Sequence, residues 1–138
     1  LEAEAERLGI SGYVEFLGYR TDIPTLLSRS HALIVPSIFE GLPLVVIEAM
    51  MAGRGVIATK AGGIPEIIEH ESDGLLVEIN ASEQLADAII RIIDHPEKLE
   101  AMARKAREKA LRYLNSEAMV DKLEALMIEV WRDKRNGA

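Results

Sequence analysis

Along most of this chain, short unbroken apolar runs alternate with stretches in which apolar residues recur every three or four positions. The runs are Ala32-Leu33-Ile34-Val35, Val56-Ile57-Ala58-Thr59 and Leu75-Leu76-Val77. A strand with one wet face alternates apolar and polar residues, so unbroken runs predict strands buried on both sides, in a parallel sheet between helices. Tyr13 to Leu17, ending at Gly18, reads as a further strand ahead of these three. Helices are predicted at Asp22 to Ser28, with Pro24 in the first turn, at Pro43 to Ala52 and at Pro65 to His70. These connections are too long for hairpins. Strand, helix, strand, repeated, implies right-handed crossovers and an open, Rossmann-like α/β sheet.

The two ends of the chain are helical in pattern. Leu1, Ala5 and Leu8 share one face of an opening helix that stops at Gly9, and a helix beginning at the first residue suggests a piece of something larger. After Val77, Ser82 caps a helix with Leu85, Ile89 and Ile92 on one face. Pro96 opens another with Leu99, Met102, Ala103, Ala106 and Ala110, and Ser116 starts a last one striped with Val120, Leu123, Met127, Val130 and Trp131. That last stripe either packs on the sheet or, around Trp131, covers a neighbouring domain. The expected fold class is α/β: an open parallel sheet between helices, followed by C-terminal helices.

Composition narrows what such a fold is for. The 138 residues make about one domain, too short for a two-domain enzyme, and no repeat, low-complexity tract or linker divides them. Sixteen basic against 23 acidic residues leave a net charge of −7, spread along the chain, which gives no nucleic-acid footprint. The absence of cysteine excludes a disulfide framework, a thiolate nucleophile and a cysteine-ligated metal, and fits a reducing, cytoplasmic compartment. No apolar run comes near the ~20 residues that span a bilayer. His31, His70 and His95 lie too far apart for a short-spaced metal motif and read as surface or strand-end residues, so no metal is expected. Arg104, Lys105, Arg107, Lys109 and Arg112, interleaved with Glu100 and Glu108, read first as a solvated helix face and second as a peripheral membrane contact.

The chemistry concentrates in the segment Pro36-Ser37-Ile38-Phe39-Glu40-Gly41-Leu42-Pro43-Leu44-Val45-Val46-Ile47-Glu48-Ala49-Met50. It leaves a buried strand and enters a helix, and loops at the carboxyl ends of parallel strands are where open α/β folds bind ligands. Glu48 is the only charge in a helix otherwise apolar all round, which predicts burial, hence either an internal ion pair or a cleft in which the carboxylate receives ligand hydroxyls such as a ribose diol. Glu40 precedes the helix. Eight residues of helix span about 12 Å, so two carboxylates across this start lie on that scale or closer. Between them are the amides of Gly41, Leu42, Leu44 and Val45 at the positive end of the helix dipole, where phosphate binds readily. Pro43 lacks an amide but presets the turn. Carboxylate, amides, carboxylate is the layout of a sugar nucleotide: sugar, two phosphates, ribose.

Two further loops are candidates. In Thr59-Lys60-Ala61-Gly62-Gly63-Ile64-Pro65-Glu66 the paired glycines permit close approach of backbone to a ligand and Lys60 offers charge, although glycine is also commonplace in βα turns. Gly18-Tyr19-Arg20-Thr21, on the same sheet edge if the first strand forms, reads as a plain surface loop or as the lining of a base pocket.

The run Pro-Ser-x-x-Glu-Gly-x-Pro-Leu-x-x-x-Glu-Ala-Met, then Ala-Gly, Val-Ile-Ala-Thr-x-x-Gly-Gly-x-x-Glu and Gly-Leu-Leu-Val, resembles the C-terminal domain of group 1 (family 4 type) retaining glycosyltransferases of the GT-B fold. The resemblance is specific from about Tyr13 to Ile93. It implies a nucleotide-sugar donor, linked to UDP or GDP, and no divalent metal. By position it implies that Glu40 acts catalytically at the donor sugar, that Gly41, Leu42, Pro43, Leu44 and Val45 hold sugar and phosphate, and that Glu48 binds ribose. Gly62 and Gly63 would border the donor, and Tyr19 and Arg20 would lie near the base. It further implies that residues 1–138 are a single nucleotide-sugar-binding domain, lacking its first strand and the N-terminal acceptor domain, which would pack near the C-terminal helix. Such a fragment would hold about half an active site and be inactive alone. One departure is Gly55, where the family commonly has proline. Two other readings stay open: Glu40 and Glu48 as a glycosidase acid–base pair, or a non-catalytic α/β interaction module.

Overall fold

Gly55–Thr59 is the strand around which the chain is built, because all five of its residues are buried. We call it β2. In the computed structural model, which describes residues 1–114 and then 117, 120, 124, 125, 127 and 128, β2 lies between β1 (Ala32–Val35) and β3 (Leu75–Val77). Both pairings are parallel, with Leu33 opposite Val56 and Ala58 opposite Leu76. The three predicted runs are these strands, β2 gaining one residue at Gly55.

Successive side chains of a strand point to opposite faces, and the core divides accordingly. Val56, Ala58 and Leu76 belong to a cluster with Val46, Ala49 and Met50 of helix α3 (Leu44–Met51) and Ile64 and Ile67 of α4 (Ile64–Ile67). Ile57 and Leu75 face the other way, against Ile92 of α5 (Ser82–Asp94) and Met102 of α6 (Pro96–Tyr113). The sheet is thus covered on both sides, as its unbroken apolar runs predict. Helix α6 serves both layers: Met102 lies in the second cluster, and Ala106 and Ala110 in the first. It crosses at the entry to β2. A Cβ placed on Gly55 would stand 1.9 Å from Leu99 Cδ1, so the departure from proline is filled by a leucine of α6.

The remaining helices are α1 (Glu2–Arg7), closed by Gly9 at φ +69°, and α2 (Ile23–Arg29), with Pro24 in its first turn. Predicted and observed boundaries differ mainly at α4, which ends at Ile67 instead of His70. The chain leaves that helix to form a turn in which His70 bridges Gly74. Ser82 lies inside α5 and makes no capping bond; Ala81 occupies the cap.

Tyr13 to Leu17 is not a strand. Ser11–Tyr13 is a single 3-10 turn, and the residues after it pair with no described strand, leaving Val14, Phe16 and Leu17 38–44% exposed. An apolar run becomes a strand only if a neighbour takes up its ladder hydrogen bonds, and the described sheet ends at β1. Of the last predicted helix, Ser116, Leu123, Val130 and Trp131 lie outside the described residues, while Val120 and Met127 are helical and exposed.

Candidate functional site

The carboxyl ends of the three strands open onto one edge of the sheet, where β1 leads through residues 36–43 to α3 and β2 leads through 60–63 to α4. A groove of about 310 Å³ runs along this edge, lined by Pro36 and Ile38 after β1, Thr59 at the end of β2 and Val77 and Glu78 at β3.

The two loops are locked together by backbone alone. The amide of Gly63 donates to the carbonyl of Gly41 at 2.8 Å. A Cβ on Gly62 would lie 1.7 Å from the carbonyl oxygen of Glu40, and one on Gly63 would lie 2.8 Å from that of Gly41. Gly62 also has φ +51°, a conformation that costs other residues about 1–2 kcal/mol. The paired glycines therefore first serve the close approach of one loop to the other, and this approach fixes the backbone on which Glu40 stands.

Glu40 is half-buried, and its Oε1 accepts a 2.6 Å hydrogen bond from the Ser37 hydroxyl. The carbonyl of Ser37 in turn accepts a 2.5 Å bond from the hydroxyl of Thr59, the single polar side chain in buried β2. Neither Ser37 nor Thr59 stands out as a site residue in the sequence. The signal available there was a hydroxyl in an otherwise apolar buried run.

Helix α3 begins at Leu44, with Pro43 as its cap in an extended conformation (ψ 108°) and buried, instead of in the first turn. Val46 donates to the Pro43 carbonyl at 3.0 Å, whereas the amides of Gly41, Leu42, Leu44 and Val45 donate to no described residue. Four unclaimed donors at the positive end of a helix dipole form a ready anion site.

The helix is not apolar all round in its setting. Val46, Ala49 and Met50 are buried, but Leu44 is 69% exposed and Glu48, four residues on, is exposed too. Burial of Glu48 was the expectation, and it is overturned: α3 packs one face on the core and turns the other outward. Glu48 has no ion-pair or hydrogen-bond partner among the described residues. Its carboxylate stands about 6 Å along the helix axis from the free amide of Leu44, open to a ligand.

The other candidates take different places. Lys60 is paired with Glu78, its ammonium turned toward the end of β3. Arg20 grips Asp22 through two hydrogen bonds of 2.8 and 2.6 Å, which hold the Asp22 carboxyl below its ordinary range. Tyr19 is 92% exposed. In the basic cluster Arg104, Lys105, Arg107 and Arg112 are exposed as expected, but Lys109 reaches inward to buried Asp73 at 2.7 Å. Among the described residues no three His, Asp or Glu side chains are grouped to hold a metal, and no helix is long and apolar enough to cross a membrane.

Comparison with known proteins places this geometry. The family model for glycosyl transferases group 1 matches residues 1–109. The chain is 35% identical over 132 residues to N-acetyl-alpha-D-glucosaminyl L-malate synthase of Bacillus anthracis, covering 96% of this chain and 35% of that protein. Its fold superposes on the crystal structure of Anabaena HepE in complex with UDP with a TM-score of 0.87 at 30% identity, over 93% of this chain and 35% of that one. It also matches the crystal structure of the C-terminal domain of a group 1 glycosyl transferase, LpcC of Francisella tularensis, with a TM-score of 0.74 at 28% identity, over 83% of this chain and 60% of that one. The chain spans about a third of the length of the first two. With the family model covering most of its residues and the α/β fold of the GT-B enzymes beneath them, this chain belongs to the group 1 glycosyl transferases.

Proposed function

We propose that this chain is the nucleotide-sugar-binding domain of a retaining glycosyltransferase that takes its donor from UDP or GDP. The observation that carries the reading is the row of four unclaimed amides at the start of α3, flanked by a fixed carboxylate, Glu40, and a free one, Glu48. A diphosphate matches the amides, a ribose diol matches the outward carboxylate of Glu48, and the donor sugar falls to Glu40. The complexes of HepE with UDP and with UDP-glucose support a donor of this class. Gly62 and Gly63 border the sugar, and Tyr19 and Arg20 serve the base.

Catalysis in such an arrangement is positional and electrostatic. The helix-start amides meet the charge that develops on the leaving diphosphate, and acceptor attack occurs on the face the sugar presents to an opposing domain. The acceptor domain lies outside this chain, so residues 1–138 bind donor and transfer little or nothing alone. On a chain of net charge −7, the binding of a dianionic group rests on local dipoles, and affinity is weak.

Titration by nuclear magnetic resonance, which reads millimolar binding, tests this with UDP, GDP, UDP-glucose and GDP-mannose. The expected result is binding of one nucleotide series with shifts at residues 41–45, weakened by Glu48→Ala for the free nucleotide and its sugar alike. No binding of either series, here and in a longer polypeptide that includes the segment before Leu1, would sink the reading.

A further inference from the structure

The carboxylate of Glu40 sits on a loop between Phe39, 88% exposed, and Gly41, and a glutamate so placed has three free side-chain torsions. The structure assigns Ser37 as the positioning residue that removes this freedom, with Thr59 holding Ser37 in place; the assignment rests on the reading of Glu40 as the residue that meets the donor sugar.

The geometry is a short relay that starts in the sheet. Thr59 is the last residue of β2 and only 4% exposed. Its hydroxyl has one proton to give and two carbonyls within reach, Ser37 at 2.5 Å and Val35 at 3.4 Å, so the proton goes to Ser37. The carbonyl of Ser37 is thereby tied to the most rigid strand of the molecule. The hydroxyl of Ser37 then donates to Oε1 of Glu40 at 2.6 Å, a charge-assisted bond to an acceptor-only group. On the far side of Glu40, the Gly63 amide holds the Gly41 carbonyl at 2.8 Å. Glu40 is therefore fixed through its own side chain and through the backbone on both sides, by residues of the β2–α4 segment and by Ser37.

The consequence is an asymmetry between the two carboxylate oxygens. Oε1 is spent on Ser37, and Oε2, claimed by no described residue, is the one left to accept from a sugar hydroxyl. Ser37 does not touch the donor in this scheme. It acts through Glu40, and its removal costs affinity for the sugar while sparing the nucleotide, which is bound by α3.

The test compares Ser37→Ala, Ser37→Thr, Glu40→Ala and the double variant Ser37→Ala/Glu40→Ala, each titrated with UDP and with UDP-glucose by nuclear magnetic resonance and checked for folding by urea unfolding. Ser37→Ala is expected to weaken UDP-glucose about tenfold, the scale of a hydrogen bond to a charged group, with UDP unchanged. Ser37→Thr, which keeps the hydroxyl, restores binding, and the double variant is no weaker than Glu40→Ala. If Ser37→Ala does not fold, Ser37→Cys, a poor donor of similar size, takes its place. Sugar affinity unchanged in Ser37→Ala but reduced in Glu40→Ala overturns the positioning role and leaves the role of Glu40 intact. Affinity for UDP and UDP-glucose reduced equally shows a merely structural serine and also overturns it. Sugar affinity unchanged in Glu40→Ala removes the role of Glu40, and the inference falls with it.

Discussion

At the residue scale, the contact that matters most has no side chain in it. Gly62 meets the Glu40 carbonyl so closely that a methyl group would stand 1.7 Å from the oxygen, and the atom in the way is backbone. A side chain could swing aside; a carbonyl on a loop pinned by the Gly63 bond cannot without moving the loop. Gly62→Ala therefore adds steric strain to the cost of holding alanine at φ +51°, and a loss of about 2–4 kcal/mol is expected in urea unfolding. Part of that loss is relieved by parting the two loops, so the variant also loses binding of UDP-glucose more than of UDP. Glycines in the sequence pointed to this loop, but a glycine in a βα turn has many uses. Only the fold, by placing Glu40 against Gly62 from a segment twenty-two residues earlier, decides between approach to a ligand and approach to another loop. The same limit hid Ser37 and Thr59. A hydroxyl in sequence gives no hint of its partner, and here the partner is across the sheet edge.

At the scale of elements, α3 shows where pattern reading succeeds and where it overreaches. Its extent was legible because Pro43, the apolar run and Gly53 punctuate it clearly. Its burial was not, since a run of apolar residues states what can be buried, and the number of neighbours states what is. Val46, Ala49 and Met50 find the sheet and α6, while Leu44 and Glu48 find none. The expectation of a buried ion pair at Glu48 is replaced by a sharper one. A buried, paired carboxylate would cost several kcal/mol to delete, but an exposed one without partners costs less than about 0.5 kcal/mol. Glu48→Ala is thus expected to leave the urea midpoint unchanged while weakening nucleotide binding, and a fall in stability would show that the side chain holds structure. The failed strand at Tyr13 to Leu17 has the same root. Its apolar residues fit a strand, and nothing in the sequence says whether a ladder partner stands beside it.

At the scale of the whole molecule, the two layers on either side of the sheet are joined at one corner, the turn of residues 69–74 between α4 and β3. Asp73, 3% exposed, accepts from the Glu69 amide at 2.7 Å and from Lys109 of α6 at 2.7 Å. Glu71, at φ +64°, reaches the other way to Arg91 of α5 at 2.5 Å. The two ties differ in kind. Asp73 is buried, so Asp73→Ala strands the Lys109 ammonium, leaves the Glu69 amide without its acceptor, and is expected to cost about 3–5 kcal/mol, a large share of the roughly 5–15 kcal/mol that holds a domain of this size. Urea unfolding reads that loss directly, and a loss under about 1 kcal/mol would mean the pair is solvated. Glu71 is exposed, and its contribution is visible only through pH. The hydrogen bond from Arg91, aided by its charge, holds the Glu71 carboxyl below its ordinary value of 4.5. A depressed carboxyl stabilises the fold above the pKa of the unfolded chain, and that stabilisation disappears as pH falls through the folded value. Wild type should therefore be the more stable protein at pH 7, and its advantage over Glu71→Gln should shrink below about pH 4.5 and vanish at lower pH. Parallel curves across that range would show that Arg91 does not discriminate the carboxylate from the amide. Because this corner joins α5 and α6 at the end of the segment that begins with Gly62 and Gly63, loosening it by acid or by Asp73→Ala reaches the loop on which Glu40 rests. Weaker binding of UDP-glucose in Asp73→Ala, at a urea concentration where the variant is still folded, is the expected sign of that connection.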